Sequence, residues 1–452
     1  MAFTGQSLRH PVSLAGVVIT TASAAGFLAL GAAAALDVFD SPYAGLVIYV
    51  TLPALFLFGL LLIPLGIWLR RRALRRDPDA NVDWPVIDLR APRVRRTVFV
   101  LAALTAVNAA ILLVAGYSAL HWMESPSFCG QACHTPMHPQ FTSWQNTPHS
   151  NIACVQCHIG EGGKALVHYK LAGVRQLIHV LDGNYPRPIP ASQADMRPAL
   201  QTCGRCHAAT LGHGERQRLV KEYAEDEANS ETVTDLLLHV GGPAQPTSSG
   251  RAIHWHADPA VRVEYVATDA DRQVIPVVRA TGADGKTREY RVEGTTAESL
   301  ARGTTRVMDC IDCHNTAAHR IAPTAEQAVD RALGAGQIDR RLPFVRREGV
   351  RLLKASYQTG DAASAAIATE LRSFYKAQPR QVDGGALERS IDRLQGLYRS
   401  NVFPEMKVTW GVYKDNLGHL TSDGCFRCHD GNHTASDGTA ISADCEYCHQ
   451  QR

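Results

Sequence analysis

The chain has 452 residues and a formal charge of +3, with a pI near 8.2. That length suffices for two or three domains, and so mild a charge, with no clustered Lys/Arg face, gives no reason to invoke a nucleic-acid partner. Aromatic residues make up only 7 %, little for a large soluble interior, so another bulky apolar group is expected to help fill it.

The first 121 residues read as a membrane anchor. Three long apolar runs, about 12–36, 44–69 and 97–120, each reach the roughly 20 residues a helix needs to cross a bilayer. Pro53 and Pro64 are the only breaks in the second run. Between the second and third stand Arg70, Arg71, Arg72, Arg75, Arg76, Arg90, Arg93, Arg95 and Arg96. The positive-inside rule places that stretch in the cytoplasm, so the short Asp37–Tyr43 loop and everything after residue 121 fall outside. A cleavable signal peptide would also explain the first run, but only Arg9 precedes it, and cleavage would leave the other two helices with an odd topology. A retained helix is expected.

Beyond Trp122 the chain is polar. Residues 122–215 form one expected domain, 216–300 an insert, and 301–452 a C-terminal domain. Within the insert, Glu215–Leu238 reads as helical. Val261–Val266, Gln273–Val278 and Thr287–Val292 alternate apolar and polar residues, with turns at Asp271-Arg272 and Asp284-Gly285, as a small antiparallel sheet would. Residues 324–400 return to helical spacing. The fold class expected is mainly α: three N-terminal transmembrane helices, then a periplasmic domain with a small antiparallel β insert.

The 12 cysteines fall into six pairs, each followed at once by histidine. They are Cys129, Cys133 and His134; Cys154, Cys157 and His158; Cys203, Cys206 and His207; Cys310, Cys313 and His314; Cys425, Cys428 and His429; and Cys445, Cys448 and His449. Two thiols about one helical turn apart can each form a thioether to a porphyrin vinyl group, and the next histidine reaches the iron. Zinc ribbons and disulfide frameworks also use paired cysteines, but neither requires a histidine after every pair. The expectation is six haem c groups, whose macrocycles would help fill the interior. Covalent haem c also belongs outside the cytosol, in agreement with the topology. The first motif is stretched, with three residues between its cysteines.

Each iron takes two axial ligands, and the motif histidines supply one side. For the other side, His149, His179, His256, His319, His419 and His433 are the favoured candidates. A histidine four or five residues past a motif histidine, such as His433 or His319, is placed to reach a neighbouring haem rather than its own. His254 competes with His256, because residues two apart cannot both face one iron from a strand. At the first haem Met137, His138 and His134 remain alternatives. There are enough spare ligands to fill every iron, which suits a relay and argues against a terminal reductase, whose iron needs an open position.

Over Phe128–His207 the chain resembles the NapC/NirT family of membrane-anchored quinol dehydrogenases. A transmembrane helix leads directly into the first motif, followed by Pro148-His149, Cys154–His158, Lys170, His179 and Cys203–His207. Beyond His207 the chain is similar to longer inner-membrane relatives with extra haems. The resemblance implies an inner-membrane protein that takes electrons from membrane quinol beside the first haem and relays them to a periplasmic redox protein. It also implies a Met ligand there, matched by Met137, and a Lys and an Asp beside the quinol. Lys170 (or Lys164) matches the Lys, whereas Gln176 stands where the family has Asp and cannot take a proton as a carboxylate does. The alternative expectation is an electron-wire subunit of a larger respiratory or photosynthetic complex, without its own quinol site.

Overall fold

The structure is a computed structural model, and it describes residues 11–35, 47–74, 90–132, 134–159, 163–190, 199–207, 214–241 and 252–452. Chain contacts divide it into two units, residues 1–132 and 133–452.

The first unit is helical. Its long helices are α1 (Pro11–Ala35), α2 (Leu52–Leu74) and α3 (Pro92–Met123), with a π-helical turn at Val47–Thr51 before α2. The helices α1 and α2 pack together with their small residues inward. Ser13, Gly16 and Ser23 are buried while Leu14, Val17 and Val18 are exposed; on α2, Phe56, Gly59 and Gly66 are buried while Leu57, Phe58 and Leu61 are exposed. Spacings of three and seven residues put each buried set on one helix face. Such an inside-out pattern is what a lipid-facing helix pair needs, because lipid solvates apolar side chains and close backbone approach holds the helices together. A side chain at Gly16 would run into the Gly59 carbonyl and the Ile63 backbone, and one at Gly66 into Ser13. The Ser13 hydroxyl donates to the Ile63 carbonyl at 3.1 Å.

The described parts of all three expected apolar segments are thus helical. One of them, at Leu52–Leu69, is long and apolar enough to cross a membrane, whereas the comparable windows at Pro11–Phe27 and Ala110–Met123 are shorter. The expected Asp37–Tyr43 loop and Arg75 and Arg76 lie outside the described residues.

The second unit combines helices with antiparallel sheets. It opens with α4 (His134–Gln145) and α5 (Gly163–Leu181). Strands β1 (Glu215–Tyr223) and β2 (Glu231–His239) follow, then β3 (Arg262–Ala267), β4 (Val277–Thr281), β5 (Thr287–Val292) and β6 (Thr304–Val307). Next come α6 (Ala325–Gly334), α7 (Val345–Lys354), α8 (Gly360–Lys376) and α9 (Gly384–Asn401), and the short strands β7 (His433–Thr434) and β8 (His449–Gln451). The helices α6 to α9 close over a core that includes Val329, Ile367, Leu371 and Leu394. No haem motif lies in this bundle.

The stretch Glu215–Leu238, expected to be helical, is instead a hairpin in which Leu219 pairs with Asp235 and Lys221 with Val233. Its turn explains the difference. Asn229 is buried with φ 50°, and its amide donates to the carbonyls of Arg340 (3.0 Å) and Leu342 (2.9 Å). A tertiary anchor on the bundle thereby reverses the chain where local propensity alone would continue a helix. The expected small sheet at Val261–Val292 is present as β3, β4 and β5. It does not end at residue 300: the sheet order is β6-β3-β4-β5-β7, and β8 joins β1-β2. The insert and the C-terminal segment therefore share both sheets, and these sheets position the haem motifs. Strand β6 ends just before Cys310, β7 follows His429, and β8 starts at His449, paired with Leu238.

Candidate functional site

Two imidazoles on opposite sides of one metal are each bonded at about 2 Å, and the ring centre lies about 1 Å further, so their centroids stand about 6 Å apart. Five of the six motif histidines have another histidine ring at that separation. His158 faces His319 at 6.0 Å, His207 faces His149 at 6.1 Å, His314 faces His254 at 6.4 Å, His429 faces His256 at 5.8 Å and His449 faces His419 at 6.0 Å. Every pair joins residues far apart in the chain except the last.

The rings are held by their second nitrogen. Nδ1 of His149 lies 3.2 Å from the Ala317 carbonyl, that of His319 3.1 Å from the Gln140 carbonyl, that of His256 2.8 Å from the Ile253 carbonyl and that of His429 2.8 Å from the Ser442 carbonyl. A carbonyl can only accept, so Nδ1 carries a proton in each, and in the neutral ring Nε2 is the nitrogen left to bind a metal. Burial favours the neutral ring: it pushes His319 down to about 4, helped by His158, and lowers His158, His256 and His314. A further buried imidazole with open ring nitrogens, His239, stands beside the motif histidines. It is 1 % exposed, and neither ring nitrogen makes a hydrogen bond, although Glu215 Oε1 stands 3.2 Å from Nδ1. It lies close enough to His449 to be felt by it. These residues fit haem c.

The motif cysteines are neighbours in chain order. Cys157 is close enough to Cys203 and Cys206 for their charges to interact; Cys203 hydrogen-bonds Cys310; Cys313 feels Cys425; and Cys448 feels Cys425. Motifs two to six thus each stand beside the next in the chain.

The fourth and fifth motifs are tied by a buried polar knot. Asp312, inside the fourth motif and 1 % exposed, accepts from Tyr265 Oη (2.5 Å), Arg306 Nε (2.8 Å), Arg272 Nη1 (3.4 Å) and the Asp309 amide (2.7 Å). Burial and the Asp312 charge push the Tyr265 hydroxyl well up, so it stays a donor. Asp309 caps the motif's helical turn by accepting from the Ile311 amide. From the fifth motif, Arg427 donates to the carbonyls of Asp312 and Arg272, both at 2.9 Å.

The remaining candidates are placed differently. His433 is buried, with Nδ1 2.9 Å from Asp430 Oδ1 and Nε2 2.6 Å from the Ile275 carbonyl, so both nitrogens already serve the protein. His179 stands on α5 with no opposing ring among the described residues. His254 and His256, two apart, lie on a 3-10 turn rather than a strand and face two different motif histidines. At the first motif, Cys133 and the His134 side chain lie outside the described residues; Met137 is half-buried on α4; and His138 Nδ1 is 3.0 Å from Glu405 Oε1, its ring against Phe403. Gln176 is exposed on α5, and the Lys170 side chain is not described.

The family model described as "NapC/NirT cytochrome c family, N-terminal region" matches residues 91–234. The chain is also similar to "Cytochrome c-type protein ImcH" of Geobacter sulfurreducens, at 35 % identity over 454 residues, covering 99 % of this chain and 89 % of that protein. The chain belongs to the NapC/NirT cytochrome c family. No solved structure matches it. Membership makes this NapC/NirT cytochrome a membrane-associated electron-transfer protein with covalently bound haem c, whose match begins within the α3 region and ends in β2.

Proposed function

We propose that this cytochrome carries six haem c groups, takes electrons from membrane quinol and relays them to a periplasmic acceptor. On this reading α1, α2 and α3 all span the inner membrane, with the arginines before α3 in the cytoplasm. The pairs His158/His319, His207/His149, His314/His254, His429/His256 and His449/His419 would hold the irons of haems two to six. His254 thereby takes the place first given to His433. Haem c supplies a one-electron iron couple, tuned by its ligands and surroundings. The protein's part is to hold each ring at its separation, to keep ligand nitrogens unprotonated, and to exclude water around the fourth and fifth motifs.

Oxidising one quinol releases two electrons and two protons. The electrons enter at the first haem, near Met137 on α4 and Lys170 and Gln176 on α5. Gln176 cannot accept a proton, so the protons leave by another group or by water. The observation that carries the relay is the set of five ring pairs at 5.8–6.4 Å on motifs that follow one another in space. Purified protein in proteoliposomes should be reduced by a soluble menaquinol analogue at a rate that saturates with quinol. Absence of reduction without an added partner protein would remove the quinol step. The Gln176 substitution favours a second reading, a wire subunit fed by a partner in a larger complex; stoichiometric co-purification with such a partner would select it.

A further inference from the structure

We infer that α5 lies along the membrane surface, its apolar face among the acyl chains and its basic residues among anionic lipid head groups. Leu171, Val174, Ile178 and Leu181 are 67 %, 55 %, 52 % and 77 % exposed. Their spacing of three, four and three residues makes one continuous stripe on the helix. Large side chains at such exposure in a row are not the scattered apolar residues of an ordinary surface.

The stripe is not the face that haem ligation would use. At 3.6 residues per turn, His168 and His179 fall on a common side, about 100° round from Ile178. Tyr169, Ala172 and Val180, each half-buried among described residues, lie on the side away from the stripe. Gly173, Arg175 and Gln176 are exposed as well, so the apolar stripe is flanked by exposed polar and basic positions.

Charge identifies the occupant. Gly163–Leu181 contains Lys164, Lys170 and Arg175 and no Asp or Glu. A basic helix with a strong apolar face and a length of 19 residues is the form of an interfacial, in-plane helix, which binds anionic lipid by burying its stripe just below the head groups. The chain already belongs to a membrane-anchored family and carries the apolar helix Leu52–Leu69, so a bilayer is always within reach of its own tether. This placement holds whether or not the protein oxidises quinol.

The test uses the full-length, haem-loaded protein in vesicles of phosphatidylethanolamine and phosphatidylglycerol. A benzophenone amino acid is introduced singly at Val174, at Ile178 and, as a control, at the exposed Ser373 of α8. After irradiation, mass spectrometry should find lipid adducts at 174 and 178 and none at 373. Adduct yield at 178 should fall several-fold in pure phosphatidylcholine. In a Val174→Glu background that retains the native haem spectrum, the adduct at 178 should fall likewise. Adducts to a second protein copy or to a partner, or no adduct at 174 and 178, would overturn the placement.

Discussion

Replacing His256 by alanine separates ligand from bystander most cleanly. In the structure its ring stands 5.8 Å from that of His429, and its Nδ1 is tied to the Ile253 carbonyl at 2.8 Å. On the proposed ligation, alanine would leave the haem-five iron with one protein ligand, and it changes no cysteine, so attachment would be preserved. With six motifs in the chain, one iron in six should become high-spin, and the other five should stay low-spin. Resonance Raman or electron paramagnetic resonance of the oxidised protein reads that fraction directly. The His433→Ala variant is the counterpart. It removes a buried ring bonded to Asp430 and Ile275, so it should destabilise the fold by about 1–3 kcal/mol through the partners left unpaired, and yet create no high-spin iron. If His433→Ala generates the high-spin signal and His256→Ala does not, the ring-pair argument fails.

Other outcomes follow from the same geometry. Asp312→Ala strips a buried carboxylate from Tyr265, Arg306 and Arg272 and should cost about 3–5 kcal/mol, seen as a lowered denaturant midpoint; a loss below about 1 kcal/mol would mean the knot is not structurally important. Asn229→Ala should cost about 2–3 kcal/mol, because two bundle carbonyls lose their donor, and it should raise protease cutting within the β1–β2 turn. Gly59→Val would drive a side chain into backbone atoms of Thr20 and Gly16, 2.8 and 2.9 Å from the first added carbon, and should split the α1–α2 pair, read as faster proteolysis of the detergent-solubilised protein. A normal proteolysis pattern would show that the close glycine packing is dispensable.

Much of this architecture is written locally. Six cysteine pairs with trailing histidines announce their chemistry by spacing, and apolar runs announce helices by length. The alternation at Val261–Val292 reveals its sheet because Val263, Tyr265 and Val278 from two of its strands join one buried cluster. What local reading could not supply is closure. The partner of His207 is His149 and that of His158 is His319, a crossing imposed by the Nδ1 bonds to Ala317 and Gln140. His254 and His256 were in competition only on the assumption of a strand; a 3-10 turn lets them point to separate motifs. His433 looked like a ligand by its distance from His429, but the β5–β7 pairing carries it into the sheet. Glu215–Leu238, rich in Glu, Arg and Leu, has helical propensity along its length, and the buried Asn229 overrides it from the bundle side. Gln176 marks the limit of resemblance: the resemblance implies an Asp at that place, and an amide cannot take a proton as a carboxylate does.

The relay rests on which side chains hold the irons, and low-temperature near-infrared magnetic circular dichroism distinguishes His/His from His/Met and other ligand pairs on low-spin haem. On the fully oxidised, full-length protein, integrated against total iron, it should return five His/His haems per chain, the sixth being the stretched site at Cys129. Fewer than five, or a dominant high-spin population in the native protein, would contradict the account.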